Sequence, residues 1–360
     1  MRFVPTSCLR EGMVLGNNLL GKNGELVLAH DVTLTTDFIH RIKQLNYNGI
    51  YVEDAISRDL EIASIIDDRV KAKTVSCIKD VFICAEKTNT ITKQKFAEMQ
   101  NQIETIIDEI LNNKSTMINM IDLKVFDDYT YFHSVNVAVL SIVLGVSMGL
   151  KKQALSDLGI GAILHDIGKI FVSKQILCKN GMLTDDEFVA IKKHSQYGYD
   201  YIKKEFNMSQ SARLGILDHH EKYEGGGYPN SSIGDEISLF GRIISIADVY
   251  DAMTSDRSYR KAIIPSEVIE YIMGNSETIF DPELVDVFIK KIAPYPTGTC
   301  VELSNGLTGI VIENYENYCM RPKIRIYKDK KKDIEMYDIN LADKDFLNVT
   351  ITKVVDLSLT

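Results

Sequence analysis

Positive charge is scarce in this chain. Its 41 lysines and arginines face 50 acidic residues, a formal net charge of −9. That argues against a broad nucleic-acid-binding surface and a nucleic-acid polymer as partner, but leaves room for a local basic pocket and a small anionic ligand. Paired cysteines are missing too. Cys8, Cys77, Cys84, Cys178, Cys300 and Cys319 form no CxxC pair and no zinc-finger spacing, which reads as free thiols in a reducing compartment. Long apolar runs are absent: the most apolar stretch, residues 135–150, has 16 residues and includes Asn136 and two serines. It is short for a membrane span and suits a buried core helix. Residues 1–20 carry Arg10, Glu11 and Asn17 in place of the apolar core of a secretory signal, so the expectation is a cytoplasmic protein without membrane insertion. No internal repeat or low-complexity segment is present.

What the chain does contain divides into four stretches. Residues 1–53 read as a small α+β unit: Met13–Gly16 and Leu26–Leu28 flank the turn signal Gly21-Lys22-Asn23-Gly24, Thr36–Leu45 has helical spacing, and Gly49–Val52 returns to strand character. Residues 54–120 are charged and helical, a connector of two amphipathic helices that could form a homodimer. Residues 121–293 show a run of helices without strand alternation, with Asp281-Pro282 as a helix start. Residues 294–360 read as a small β-rich module, with a hairpin from Thr299–Leu303 through Ser304-Asn305-Gly306 to Thr308–Ile312, and a third strand at Lys323–Tyr327. The charge run Lys328–Asp333 reads as a solvated loop. The fold class is therefore mainly α, with small β-containing modules at both ends.

Of seven histidines, five (His133, His165, His194, His219 and His220) fall between positions 133 and 248. Asp166 follows His165 directly, and Asp248 sits in the apolar run Ile-Ile-Ser-Ile-Ala-Asp-Val-Tyr. Imidazole and carboxylate groups on apolar helix faces are costly to bury unless compensated, and metal ions compensate them well. The gaps between successive positions are 32, 29 and 25 residues from His133 to His219, then 28 from His220 to Asp248. Each equals about one helix plus a connection, so successive helices of a bundle could each present a ligand to one centre. His30 and His40 lie outside this pattern and read as structural or surface residues.

The segment His165-Asp166-Ile167-Gly168-Lys169 resembles the HD superfamily of metal-dependent phosphohydrolases. His219-His220-Glu221-Lys222-Tyr223-Glu224-Gly225-Gly226-Gly227-Tyr228-Pro229 is similar to its HD-GYP subfamily, and the segments around His133 and Asp248-Val249-Tyr250-Asp251 fit the same pattern. A bare His-Asp pair is a weak signal; four motifs in order are a strong one. The resemblance implies an all-helical HD-type bundle that hydrolyses cyclic di-GMP to the linear dinucleotide pGpG, and could continue to GMP, with water activated between two divalent transition metal ions. It implies His133, His165 and Asp248 as ligands of one ion, His194, His219 and His220 as ligands of the second, and Asp166 as the bridging carboxylate. Nitrogen and carboxylate ligands suit iron or manganese.

The same resemblance gives Lys169 a place at the scissile phosphate, where a cation offsets developing charge. Arg257 and Arg260 match positions that hold substrate phosphate, a role suited to the planar guanidinium fork. Gly227 allows close backbone approach to a ligand, and Tyr228 offers an aromatic face beside the site. Some family members use a glutamate for a third metal where this chain has Tyr129, so a two-metal site is expected. Competing readings are another cyclic or linear dinucleotide as substrate, or a silent cyclic di-GMP receptor acting through signalling protein partners. A complete ligand set weighs against the silent receptor.

Overall fold

The computed structural model describes residues 1–21, 25–45, 47, 49–60, 62, 64–113, 117–118, 129–179, 181–255, 262–330 and 332–355. Contacts divide the chain into two units. One comprises Met1–Ile65, Ser115–Asp127 and Ile289–Thr360, and the other Ile66–Lys114 and Asp128–Phe288. This grouping differs from the four stretches read along the sequence: the N- and C-terminal β-containing segments belong to one unit, and the charged helices after residue 66 belong to the helical one.

In the first unit, β1 (Arg2–Pro5), β2 (Val14–Leu15), β3 (Leu19–Leu20), β4 (Leu26–Leu28), α1 (Thr36–Gln44) and β5 (Gly49–Glu53) form the N-terminal part. β5 is the centre of an antiparallel sheet ordered β1-β5-β2, with Arg2 and Leu15 both opposite Val52. The expected hairpin exists, but its first arm is Leu19–Leu20 rather than residues 13–16. Val14 and Leu15 pair with β5 instead, where Leu15 is fully buried; a distant apolar partner outcompetes the nearby turn. α1 starts where the Thr35 side chain accepts from the Phe38 amide, and buries Ile39 and Ile42 on its core side.

β6 (Cys300–Leu303), β7 (Leu307–Glu313), β8 (Lys323–Asp329), β9 (Lys332–Asn340) and β10 (Ile351–Val354) form a five-stranded antiparallel sheet ordered β10-β6-β7-β8-β9. The expected hairpin and third strand are present, and two further strands are added. The Lys328–Asp333 run is a correction: Lys328 and Asp329 end β8 and pair with Asp333 and Lys332 of β9, and Lys331 lies outside the described residues. β9 is largely exposed, so its charged residues sit on an edge strand where charge discourages intermolecular pairing. Arg2 fastens β1 to the segment that follows β5. It is buried, and its Nε donates to Asp54 Oδ2 at 2.6 Å.

The helical unit contains α2 (Asp68–Thr88), α3 (Lys93–Asn112), α4 (Tyr129–Ser147), α5 (Lys152–Ile163), α6 (Lys174–Leu177), α7 (Asp185–Lys192), α8 (His194–Glu205), α9 (Gln210–Asp218), α10 (Leu239–Thr254), α11 (Pro265–Gly274) and most of α12 (Pro282–Lys291), whose residues from Ile289 on are grouped with the first unit. α4 is apolar on every side because it is the core helix: Val135, Val137, Ala138, Val139, Leu140 and Ile142 are all fully buried. By length and composition Thr130–Ser147 could cross a membrane, but 78% of it is buried inside the protein. α2 and α3 pack on α4 and α5. The buried stripe Met99, Ile103, Ile106, Ile107 and Ile110 of α3 is thus used within the chain.

Candidate metal centre

Five segments of the helical unit converge on one place. α4 carries His133, the turn after α5 carries His165 and Asp166, α8 begins at His194, α9 ends just before His219 and His220, and α10 carries Asp248. Ligands at helix ends need the helices to approach closely, and glycine permits that. A Cβ on Gly168 would lie 1.9 Å from the His194 carbonyl oxygen and 2.5 Å from the Gly198 nitrogen, and one on Gly161 would lie 2.9 Å from the Ala212 carbonyl oxygen. Gly168 thus seats the turn carrying Asp166 directly on the first turn of α8.

The result is a buried cluster. His133, His165, Asp166, His194 and His219 are each at most 4% exposed. Two groups, His133-His165-Asp166 and His194-His219-His220, each bring one ligand-type atom per residue to within 4.8 Å of one another. Asp166 faces both: Oδ2 is 3.4 Å from His165 Nε2, and Oδ1 is 3.4 Å from His194 Nε2. Asp248 reaches the cluster from α10, with Oδ1 at 3.1 Å from His133 Nε2 and Oδ2 at 4.0 Å from His220 Nδ1.

The rings are held from behind by a repeated device. Nδ1 of His165, His194 and His219 each lies 2.7 Å from the carbonyl oxygen of Ala162, Ile191 and Ile216, respectively. With Nδ1–H donated there, each Nε2 carries a lone pair facing the cluster. His133 uses a carboxylate instead. Its Nδ1 is 2.7 Å from Asp251 Oδ2, while Asn136 Nδ2 donates to Asp251 Oδ1 at 2.8 Å.

Electrostatics follow from this packing. Burial favours the neutral form of His194 and His219 and lowers both; it takes His220 to about 3 despite the opposing Asp248 charge. Neutral imidazole is the form that binds metal. For His133, burial is outweighed by its bonds to Asp248 and Asp251, which raise it to about 9. Burial would also raise Asp166 and Asp248. The charge of Lys169 instead holds Asp166 well below the usual carboxylate range, and the His133 bond holds Asp248 there. The cluster therefore keeps two anionic carboxylates beside the neutral imidazoles of His194, His219 and His220. His165 Nε2 and Asp166 Oδ1 are buried without a hydrogen-bond partner. Buried polar atoms left this way are expensive unless a cation meets them, and the nitrogen-and-oxygen donor set fits divalent metal ions.

Lys169 Nζ bonds Asp166 Oδ2 at 2.5 Å and remains 38% exposed at the edge of the cluster. The Tyr228 ring lies 4.7 Å from the His220 ring and 6.3 Å from that of His194. Gly227 packs on the chain itself, since a Cβ there would lie 2.5 Å from the Glu221 Cα and the Lys222 nitrogen. Glu221 is buried, and its Oε1 accepts from the Asn230 amide at 2.7 Å, closing the loop that carries Tyr228. Arg257, Arg260, Asp128 and the Tyr129 side chain lie outside the described residues. His30 and His40 form exposed hydrogen bonds with Asp31 and Gln44.

Sequence reasoning passed over Asp251, Asn136 and Gly198. Asp251 offered a signal, as a second aspartate three positions after Asp248 on an apolar helix. Asn136 gave one too, as the polar residue inside the most apolar run.

An HD-domain family model matches residues 104–284. The chain is 32% identical over 273 residues to a cyclic di-GMP phosphodiesterase of Pseudomonas aeruginosa, covering 76% of this chain and 64% of that protein. It is 30% identical over 234 residues to a cyclic di-GMP phosphodiesterase of Borreliella burgdorferi, covering 62% of each. It is 38% identical over 168 residues to 3′3′-cGAMP-specific phosphodiesterase 3 of Vibrio cholerae, covering 47% of this chain and 36% of that protein. The chain thus spans less than two thirds of the length of these relatives. Among solved structures, an HDG"Y"P protein from Bdellovibrio bacteriovorus matches with a TM-score of 0.48 and 16% identity, over 79% of this chain and 97% of that one. With the family model spanning half of the 360 residues and containing the buried His165-Asp166 pair, the chain belongs to the HD-domain family.

Proposed function

We propose that the helical unit is a metal-dependent phosphodiesterase that hydrolyses cyclic di-GMP to pGpG. The observation that carries this reading is the placement of Asp166, with one carboxylate oxygen 3.4 Å from His165 Nε2 and the other 3.4 Å from His194 Nε2. In this reading His133, His165 and Asp248 hold one ion, His194, His219 and His220 hold a second, and Asp166 serves both. Iron or manganese suits such donors. When bound, two divalent ions supply Lewis-acid charge that activates water and offsets charge on the phosphoryl oxygens.

The chain's own groups do the rest. Backbone carbonyls and Asp251 keep the imidazoles aimed inward, so little reorganisation accompanies the reaction. Lys169 places an ammonium beside Asp166, where a scissile phosphate would meet it. Arg257, Arg260, Gly227 and Tyr228 are assigned to substrate binding. The activity is assigned to residues 121–293, with α2 and α3 packed on α4 and α5. A cytoplasmic location fits a cyclic dinucleotide substrate.

A second reading, another cyclic dinucleotide such as 3′3′-cGAMP, is favoured by the Vibrio cholerae relative named for that substrate. The test is anaerobic incubation with either nucleotide and iron(II) or manganese(II), followed by chromatography of the products. Release of pGpG supports the first reading, and preferential loss of cGAMP selects the second. Binding without product from either nucleotide would leave a silent receptor.

A further inference from the structure

The rim of the cluster holds a cation that the mechanism above does not use. Lys192 closes α7, and its Nζ lies 4.6 Å from the centroid of the Phe188 ring and 5.3 Å from that of Tyr228. Tyr228 in turn covers His220 at 4.7 Å. A continuous set of contacts therefore runs from the histidine cluster through Tyr228 to Lys192 and out to Phe188. Among the described residues no carboxylate lies within ion-pair distance of Lys192. Phe188 is 48% exposed, and its neighbour Val189 is 53% exposed.

Each part of this arrangement favours a nucleotide. Aromatic faces attract an ammonium without consuming its hydrogen-bond donors, so Lys192 keeps a localised positive charge with its N–H groups unspent. An exposed ring beside a cation is also the pairing that proteins use to stack a base and hold the adjoining phosphate. A cyclic dinucleotide has two phosphodiesters, only one of which can react at a time. Lys169 stands beside Asp166 at the reacting position, and on an acidic protein the other phosphate is a second charge that a rim lysine can meet in addition to Arg257 and Arg260.

We propose that Lys192, held between Phe188 and Tyr228, binds the non-reacting phosphate of a cyclic dinucleotide, with Phe188 as a platform for the adjacent base. This rests on the phosphodiesterase reading and names a specificity-determining residue within it. The test compares the parent with Lys192→Met, which keeps the stem between the rings and removes the charge, and with Lys192→Arg, which restores it. The substrates are cyclic di-GMP, with two phosphates, and bis(p-nitrophenyl) phosphate, with one.

The ratio of kcat/KM for cyclic di-GMP to that for the one-phosphate diester should fall about tenfold or more in Lys192→Met, the scale of a lost charge-assisted hydrogen bond. The fall should come through KM, and Lys192→Arg should recover most of it. An unchanged ratio, or an equal loss on both substrates, overturns the assignment while leaving the phosphodiesterase reading intact. A parent inactive on every cyclic dinucleotide sinks that reading instead. Calorimetric binding of hydrolysis-resistant phosphorothioate cyclic di-GMP then decides Lys192 separately: weaker binding by Lys192→Met supports the contact, whereas equal binding or none overturns it.

Discussion

Two aspartates, one in each unit, show how the same group serves different ends. Asp54 of the β-rich unit is fully engaged. Its Oδ2 accepts from Arg2 Nε at 2.6 Å, and its Oδ1 accepts from the Ile56 and Ser57 amides at 3.1 Å and from Ser57 Oγ at 2.8 Å. Asp166 of the helical unit is more deeply buried yet has an oxygen without a hydrogen-bond partner, surrounded by imidazole nitrogens. A carboxylate whose bonds are completed by its own chain stabilises a fold. One left incomplete in a dry site is poised for a cation from outside.

The sharpest way to break this comparison is Asp166→Ala. Turnover should fall by at least ~100-fold, the scale of removing a preorganised charge from an active site, and bound metal should fall with it. The metal-free variant should keep the fold of the metal-free parent, because the Lys169 ammonium that loses its partner is partly exposed to water. Substantial turnover, or a collapse of the metal-free fold, would show that Asp166 is structural like Asp54.

Asp251→Asn should come next. It weakens the hold on His133 Nδ1 while preserving shape, and outer partners of this kind are worth about 10–100-fold in metal affinity. Calorimetric titration with manganese(II) measures it directly, and parental affinity would remove Asp251 from the site's support.

Chelation should separate the units. Metal at 100 times its dissociation constant stabilises a folded state by about 2.7 kcal/mol, so chelator should lower hydrogen-exchange protection around His133, His165, His219 and Asp248 and spare β6–β9. Equal loss across both units would count against a centre confined to the helices.

The smallest effect belongs to Asp54→Asn, about 1–2 kcal/mol of stability with unchanged metal content. Burial alone would raise the Asp54 pKa, but the hydrogen bond and charge of Arg2 outweigh it and hold the carboxyl below its ordinary range. Its stabilising contribution is therefore present above the ordinary carboxylate pKa and is lost as pH falls through the lowered value. Denaturant melts of the two proteins across acidic pH should converge at the low end; a constant gap would argue against this linkage.

Much of the helical unit was legible because its signals are local. The amphipathic pattern of α3 and the Asp281-Pro282 start of α12 are written within a few residues, as is the sequence around His165-Asp166. The β-rich unit was harder. Val14-Leu15 pairs with β5 more than thirty residues away, and β9 has the composition of a solvated loop because it is an exposed edge. Arg2 gave no hint that it would be buried, since its partner lies 52 positions along the chain.

The sequence by itself determined which candidate ligand residues the chain carries, their order, and their spacing of about one helix apart. It also determined the absence of thiolates among them. Only the tertiary structure decided that Asp166 faces two histidine groups at once, that Asp251 stands behind His133, and that Gly168 packs against His194 and Gly198. The physical reason is range. Propensity, capping and hydrophobic period act over one or two helical turns, whereas a buried polar group is satisfied by whatever the packing of distant helices brings to it.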